Sequence, residues 1–338
     1  MRDDGVFIIA EAGVNHNGSL DLARRLVDAA KAAGADAVKF QTFRAEALVV
    51  RSAHKAEYQR RITDAKESQF DMLKRLELDA PAHADLMEHC REIGIIFLSS
   101  PFDDQSADML DAMGVERFKL GSGELTNLPL LGHVAAKRKP IIMSTGMATL
   151  DEVATALATF RSNGADDVTL LHCVTEYPCP SDQVNLRAMV TMRAAFGVPV
   201  GYSDHTDGTN VAIAAAAIGA VVIEKHFTLD RGMPGPDHKA SLEPADFGRM
   251  VQAIREVSLA LGDGIKRPAA CELANIPIAR KSVVTVRAVS AGAIITREDL
   301  AIKRPGNGIA PADLEKIVGR RAMRDLAADE VITWKSFD

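Results

Sequence analysis

The chain has 338 residues, of which 47% are hydrophobic and 25% are charged, and its formal net charge is −6. This composition is typical of a folded globular protein, and the negative charge disfavours binding to nucleic acid. The apolar runs stop well short of the roughly 20 residues that a membrane helix needs, so we expect no membrane span.

Short apolar segments recur along the chain and predict eight β-strands. Most of them are separated by a helical pattern with its own start and stop signals. Ser19 can cap one helix, Thr149 and Glu152 form a capping box for another, and Gly94 and Gly197 stand where helices should end. The predicted strands cover residues 6–13, 37–43, 95–102, 117–124, 140–147, 168–178, 198–206 and 221–230.

This alternation of strands and helices predicts an α/β fold over residues 1–265. Eight such units match a (β/α)8 TIM barrel, although a doubly wound open sheet has similar local patterns. The charge-rich segment 45–79 follows the second strand, and we expect it to lie over the barrel mouth. Residues 266–280 resemble a linker, and residues 281–338 predict a small β-rich domain.

The pattern of cysteines indicates the cellular compartment in which we expect the chain. The four cysteines include no CxxC pair, and no basic segment followed by an apolar one precedes them. Reduced thiols and a cytoplasmic location are therefore the expectation.

Polar side chains cluster at the C-terminal end of every predicted strand. In a barrel these ends meet at one rim, which is where the active sites of such barrels are built. The pattern therefore predicts one shared site. Its candidate residues are Glu11, Lys39, Gln41, Ser99, Ser100, Lys119, Ser122, Glu124, Ser144, Thr145, Thr175, Glu176, Tyr177, Ser203, Asp204, His205, Glu224, Lys225 and His226.

Two histidines at this rim are candidate metal ligands. His205 and His226 end adjacent strands, so both imidazoles can reach one divalent cation and leave positions open for water and substrate. No clear third carboxylate accompanies them, so a structural role for each histidine stays open. Oxygen ligands in the remaining positions suit Mn2+ or Mg2+ better than a closed zinc site.

Two lysines and several hydroxyls at the same rim are typical of a phosphate cradle. Lys39 and Lys119 supply charge, while Ser100, Ser122 and Ser144 supply hydroxyl donors beside the Gly-rich turns GSGE and STGM. Salt-bridged barrel lysines and a Schiff-base lysine are the alternatives.

The ordered motifs EAGVNHNG, VKFQTF, SPFD, GSGE, STGM, SDHT, EKHFTLD, PGPDH and KRPGNG resemble those of the bacterial sialic acid synthase family, N-acetylneuraminate synthase, over nearly the whole chain. The resemblance implies a (β/α)8 barrel followed by a small antifreeze-like (SAF, β-clip) domain. It also implies a metal-dependent condensation of phosphoenolpyruvate (PEP) with an N-acetylated mannosamine.

The resemblance assigns roles to individual residues. His205 and His226 would hold the metal, and the family's dimer would let Arg304 reach the sugar site of a domain-swapped partner. The PEP site would comprise Lys39, Ser100, Lys119, Ser122, Ser144, Thr175 and Ser203, and the sugar site Glu11, Gln41, Tyr177 and Asp237. Two positions depart from the family pattern: SSPF replaces the commoner STPF, and Thr175 stands where some relatives carry an amide, which puts its PEP contact in doubt.

The resulting prediction is an N-acetylneuraminate synthase that uses PEP, N-acetylmannosamine and water and releases phosphate by C–O cleavage. Glu124 is the candidate to position or deprotonate the water, and we expect it to stay ionised beside a metal and two lysines. A legionaminate synthase acting on 2,4-diacetamido-2,4,6-trideoxy-mannose would share every motif. A 3-deoxy-heptulosonate type synthase using a phosphorylated aldose, and a non-catalytic carbohydrate-binding protein, are more remote alternatives.

Overall fold

A computed structural model describes residues 5–55, 60 and 67–338 of the chain. Over these residues the chain divides into two compact units, Met1–Gly262 and Asp263–Asp338. The division lies close to the predicted boundary at residue 265. None of the helices in the described part combines the length and the apolar content of a membrane span.

The first unit is built on eight parallel strands. In chain order they are β1 (Phe7–Gly13), β2 (Ala37–Thr42), β3 (Ile96–Pro101), β4 (Phe118–Leu120), β5 (Ile141–Ser144), β6 (Val168–His172), β7 (Val200–Asp204) and β8 (Val222–His226). Their order in the sheet is β3-β2-β1-β8-β7-β6-β5-β4. The end strands β3 and β4 also contact each other, which closes the sheet into a barrel. The barrel prediction is confirmed.

Helices follow or flank the strands of this unit: α1 (Leu20–Ala32), α2 (Ala45–Leu48), α3 (Gln69–Leu76), α4 (Ala80–Ile93), α5 (Asp104–Ala112), α6 (Leu128–Ala135), α7 (Leu150–Ser162), α8 (Arg187–Phe196), α9 (Asn210–Ala217) and α10 (Pro244–Leu261). The predicted caps are present. The Ser19 hydroxyl accepts from Leu22 N, and Thr149 and Glu152 form their capping box. Gly94 and Gly197 end their helices in the left-handed conformation that glycine adopts without strain.

Side-chain alternation along the strands separates two cores. One lies inside the barrel and contains Phe7, Ile9, Leu98 and Leu171. The larger one lies between the outer face of the sheet and the helices. Since successive side chains of a strand point to opposite faces, a strand end sends every second residue into the barrel mouth.

Several predicted strands are too long at their C-terminal ends. The strand predicted for 117–124 ends at Leu120, and Ser122–Glu124 form a 3-10 turn. The strand predicted for 168–178 ends at His172. The polar residues in these stretches lie in loops because, past the paired part of the strand, the chain turns across the barrel mouth.

The insertion after β2 contributes α2 and α3. Part of its charge-rich stretch, residues 56–59 and 61–66, lies outside the described residues.

The second unit contains an antiparallel pair of strands, β9 (Ser282–Thr285) and β10 (Leu300–Lys303). Isolated bridges such as Val284 to Val331 connect further segments of this unit. Its core includes Val283, Ile295 and Ile332. The predicted linker contains the short helix α11 (Ile276–Ala279). The small β-rich domain predicted from the sequence is confirmed.

Candidate active site

A cavity of about 260 Å³ lies at the C-terminal end of the barrel strands. Most of the residues predicted to form the site line it: Glu11, Lys39, Gln41, Ser100, Lys119, Ser122, Ser144, Thr175, Tyr177, Ser203, His205, His226 and Asp237. The sequence therefore located the cavity correctly, although the role of each residue stays a prediction.

The floor of the cavity carries two buried lysines and two buried glutamates. Lys39 forms an ion pair with Glu11, and its Nζ lies 3.8 Å from Glu224 Oε2. Lys119 Nζ lies 3.4 Å from Glu224 Oε1. Glu224 thus lies between the two ammonium groups, and we call these four residues the charged floor.

Burial and charge act against each other in this floor. At Glu11 the effect of burial is larger than that of the positive charge of Lys39, so the pKa of the Glu11 carboxyl group is raised. Burial also opposes ionisation of Glu224, but Lys119 and Lys39 together hold the pKa of this carboxyl below its usual value. Burial lowers the pKa of Lys119, whereas for Lys39 the nearby carboxylates outweigh burial and raise the pKa. Glu224 is therefore the more acidic of the two floor carboxyl groups and the main counter-charge of the two lysines.

Serine hydroxyls extend the floor. Lys119 Nζ donates to Ser144 Oγ at 2.7 Å, and Lys39 Nζ donates to Ser100 Oγ at 3.2 Å. Ser203 Oγ donates to Glu224 Oε1 at 2.9 Å. The lysines and hydroxyls together can bind a small anion with several oxygen atoms.

Gly146 allows the backbone to approach this cradle closely. Its N–H donates to Ser122 Oγ at 2.9 Å, and Ser122 Oγ also lies 3.0 Å from Cys173 Sγ. A Cβ atom at Gly146 would lie 2.4 Å from Thr175 Oγ1 and 2.9 Å from Ser122 Oγ. Thr175 Oγ1 is buried without a hydrogen-bond partner among the described residues. The turn therefore requires glycine at this position.

The imidazoles of His205 and His226 lie together at the mouth side of the floor, with ring centroids 5.5 Å apart. The ring of Tyr177 lies 4.2 Å from that of His205. His205 Nδ1 donates to Val174 O at 2.6 Å, which leaves its Nε2 as the acceptor. His226 Nδ1 is buried and has no partner in the described part of the chain.

These two histidines fit a divalent metal ion. Burial lowers the pKa of both rings, so they are neutral and each offers a nitrogen lone pair. The described residues contain no group of three or more His, Cys, Asp or Glu side chains arranged to hold a metal. An ion bound here would complete its shell with oxygen atoms of water or substrate, as in open catalytic sites.

The remaining predicted sugar-site residues lie beside the charged floor. Gln41 Nε2 donates to Glu11 Oε1 at 3.3 Å, and burial raises the pKa of Asp237. Seven predicted residues do not line the cavity among the described residues: Ser99, Glu124, Thr145, Glu176, Asp204, Lys225 and Arg304. Glu124 Oε2 accepts a hydrogen bond from Asn127 Nδ2 at 2.8 Å, and burial raises the pKa of the Glu124 carboxyl group. Arg304 lies in the second unit, where its Nε donates to Ala279 O.

The sequence interpretation missed two kinds of lining residue. Glu224 was noted at a strand end but received no role, although its spacing of two residues from His226 on one strand gives both the same face. The apolar lining residues Val14, Met72, Leu73, Leu76 and Phe102 were not predicted, because apolar side chains carry no chemical signature in a sequence.

Comparisons with known proteins identify the family and the two domains of the chain. Residues 26–266 match the NeuB family, and residues 280–338 match the SAF domain. An N,N'-diacetyllegionaminic acid synthase of Campylobacter jejuni is 49% identical over 96% of this chain and 98% of its own. The protein of the same name from Legionella pneumophila is 48% identical over 98% of this chain and 94% of its own.

A solved structure of a related protein has a similar fold. The N-acetylneuraminic acid synthetase of Leptospira borgpetersenii is 36% identical and superposes with a TM-score of 0.72, covering 80% of this chain and 90% of its own.

Proposed function

The chain belongs to the NeuB family, and we propose that it condenses PEP with 2,4-diacetamido-2,4,6-trideoxy-mannose to form N,N'-diacetyllegionaminic acid and phosphate. The observation that carries this choice is the near 50% identity, over almost the full chain, to two proteins named for that product. The sequence-based choice of N-acetylmannosamine is not confirmed, and these relatives favour the alternative. The motifs could not separate the two sugars because both synthases share them.

The charged floor supports PEP as the anionic substrate. Lys39 and Lys119 would pair with its phosphate and carboxylate oxygens, while Ser144 and Ser122 would donate hydrogen bonds. Ser100, Ser203 and Thr175 would complete the shell. The buried hydroxyl of Thr175 has no hydrogen-bond partner among the described residues, which is consistent with such a contact. These assignments extend the predicted PEP site.

The condensation joins C3 of PEP to the aldehyde carbon of the open-chain sugar, adds water at C2 and releases phosphate by C–O cleavage. His205 and His226 would hold Mn2+ or Mg2+, which supplies Lewis-acid polarisation of a bound oxygen. The sugar would contact Glu11, Gln41, Tyr177 and Asp237 at the mouth. Glu124 remains the proposed group that positions water, and it would have to leave Asn127 to do so.

The proposal extends to a homodimer in which Arg304 of one chain reaches the sugar site of its partner. This step depends on the family resemblance. The side chain of Arg304 is exposed, and its Nε has a backbone acceptor, so the remaining guanidinium donors can serve a ligand.

A phosphate-release assay tests the function. PEP with 2,4-diacetamido-2,4,6-trideoxy-mannose should release phosphate with a higher kcat/KM than PEP with N-acetylmannosamine, and mass spectrometry should detect the nine-carbon acid. PEP without a sugar is the control. The reverse preference would make the enzyme an N-acetylneuraminate synthase, and absence of phosphate release with both sugars would favour a binding protein.

A further inference from the structure

One side of the cavity is apolar, in contrast to the charged floor. Five side chains form this apolar wall: Val14, Met72, Leu73, Leu76 and Phe102. They come from the loop after β1, from α3 and from the loop after β3. Val14, Met72 and Leu76 are almost fully buried in a small core, so the half-buried Leu73 and Phe102 present most of the apolar surface to a ligand. Charged and hydroxyl groups gain no partner from this surface, so it favours an apolar group of the ligand.

Local interactions stabilise the helix α3. Ser68 caps the helix by accepting from Asp71 N, and Lys74 pairs with Glu77 near its C-terminal end. Met72 and Leu76, one helical turn apart, pack with Val14 and Phe43 in a small core of their own. Leu73 and Phe102 are both half-buried and line the cavity, and Leu73, with the smaller side chain, is the easier of the two to replace.

Resting on the proposed function, we infer that the apolar wall binds the C6 methyl group of the sugar and selects it over a C6 hydroxymethyl group. The two lysines of the charged floor bind the anion, which leaves the wall to the sugar. Each acetamido group also ends in a methyl group, but its N–H and C=O need polar partners nearby, and the five apolar side chains of the wall provide none. The C6 methyl group has no polar atoms, whereas a C6 hydroxyl against the wall would lose water without gaining a partner.

The expected selectivity is that of a small apolar contact. A hydrophobic pocket rejects an analogue that only adds a hydroxyl group by about 100-fold in kcat/KM. The wild-type enzyme should therefore prefer the 6-deoxy sugar over its 6-hydroxy counterpart, 2,4-diacetamido-2,4-dideoxy-mannose, by at least about tenfold. The two sugars differ only at C6, so the comparison isolates the wall.

Leu73→Asn tests the assignment. The amide gives a C6 hydroxyl a partner and removes apolar surface, so the preference should fall by about tenfold while the KM for PEP stays within about twofold. Leu78→Asn is the matched control, because Leu78 is also half-buried, lies in the same stretch of chain and does not line this cavity. It should keep the wild-type preference.

The possible outcomes distinguish failure of the inference from failure of the proposed function. No phosphate release from PEP with any of these sugars refutes the proposed function and removes the basis of the inference. Phosphate release with both sugars at equal kcat/KM in the wild type overturns the inference alone, and so does a Leu73→Asn enzyme that keeps the full preference. If this variant does not fold, Leu73→Ala is judged by the same criterion, since it also removes apolar contact.

Discussion

Replacing Lys225 with methionine should destabilise the barrel strongly, because it leaves a buried carboxylate without its cation. Lys225 Nζ donates to Asp204 Oδ2 at 2.8 Å and to Thr206 O at 2.5 Å, and the side chains of Lys225 and Asp204 are 1% and 0% exposed. Breaking a buried pair on one side costs about 3–5 kcal/mol. At about 2–4 °C per kcal/mol for a unit of this size, Tm should fall by roughly 6–20 °C.

Calorimetry of three variants checks the reasoning. Asp204→Asn/Lys225→Met should be more stable than Lys225→Met alone, because no uncompensated charge remains and the asparagine can still accept from Thr206. Arg249→Met breaks an exposed pair with Asp246 in the same unit and should change Tm little. A Lys225→Met protein with the wild-type Tm, or a double variant no more stable than the single one, would refute the argument.

Three further outcomes follow from the cavity. Gly146→Ala should raise the KM for PEP about tenfold, since its Cβ would displace Ser122 Oγ and cost about one hydrogen bond; an unchanged KM would contradict this. EDTA should abolish phosphate release and Mn2+ or Mg2+ should restore it if His205 and His226 hold the metal, whereas full turnover in EDTA would exclude that. Mixing Arg304→Ala and His226→Ala chains should restore activity, and heterodimers as inactive as either variant would rule out a shared site.

The barrel was predictable because its signals are local. Strand and helix alternate with periods of about 2 and 3.6 residues, and caps such as Ser19 and Thr149 depend only on neighbouring residues. The position of the site followed from the same pattern, since polar residues after parallel strands converge on one rim. The ends of the strands were less predictable, because β4 and β6 stop where the chain begins to cross the mouth.

The apolar wall was not predictable because the contacts that form it are not local in sequence. Its residues meet through contacts between segments distant in sequence, such as Val14 with Met72 and Leu76. The helix α3, which contributes three of the five residues, has eight residues in a charged stretch, too short for its periodicity to stand out. The choice between two sugars depends on such contacts, so motifs that surround PEP and the metal carry no information about it.

The end of β8 shows how one short segment serves both the chemistry and the fold. Glu224 and His226 point into the cavity, while Lys225 points outward to Asp204 of β7, which lies directly opposite it in the ladder. A slip of one residue would exchange the two faces, burying Lys225 in the barrel and moving both cavity residues into the helix layer. The slip would break the buried ion pair between Lys225 and Asp204. It would also move the Glu224 carboxylate away from the two floor lysines. The ion pair between Lys225 and Asp204 therefore fixes the strand register that places Glu224 and His226 in the cavity. For this reason three ionisable residues can stand in succession at the end of a buried strand.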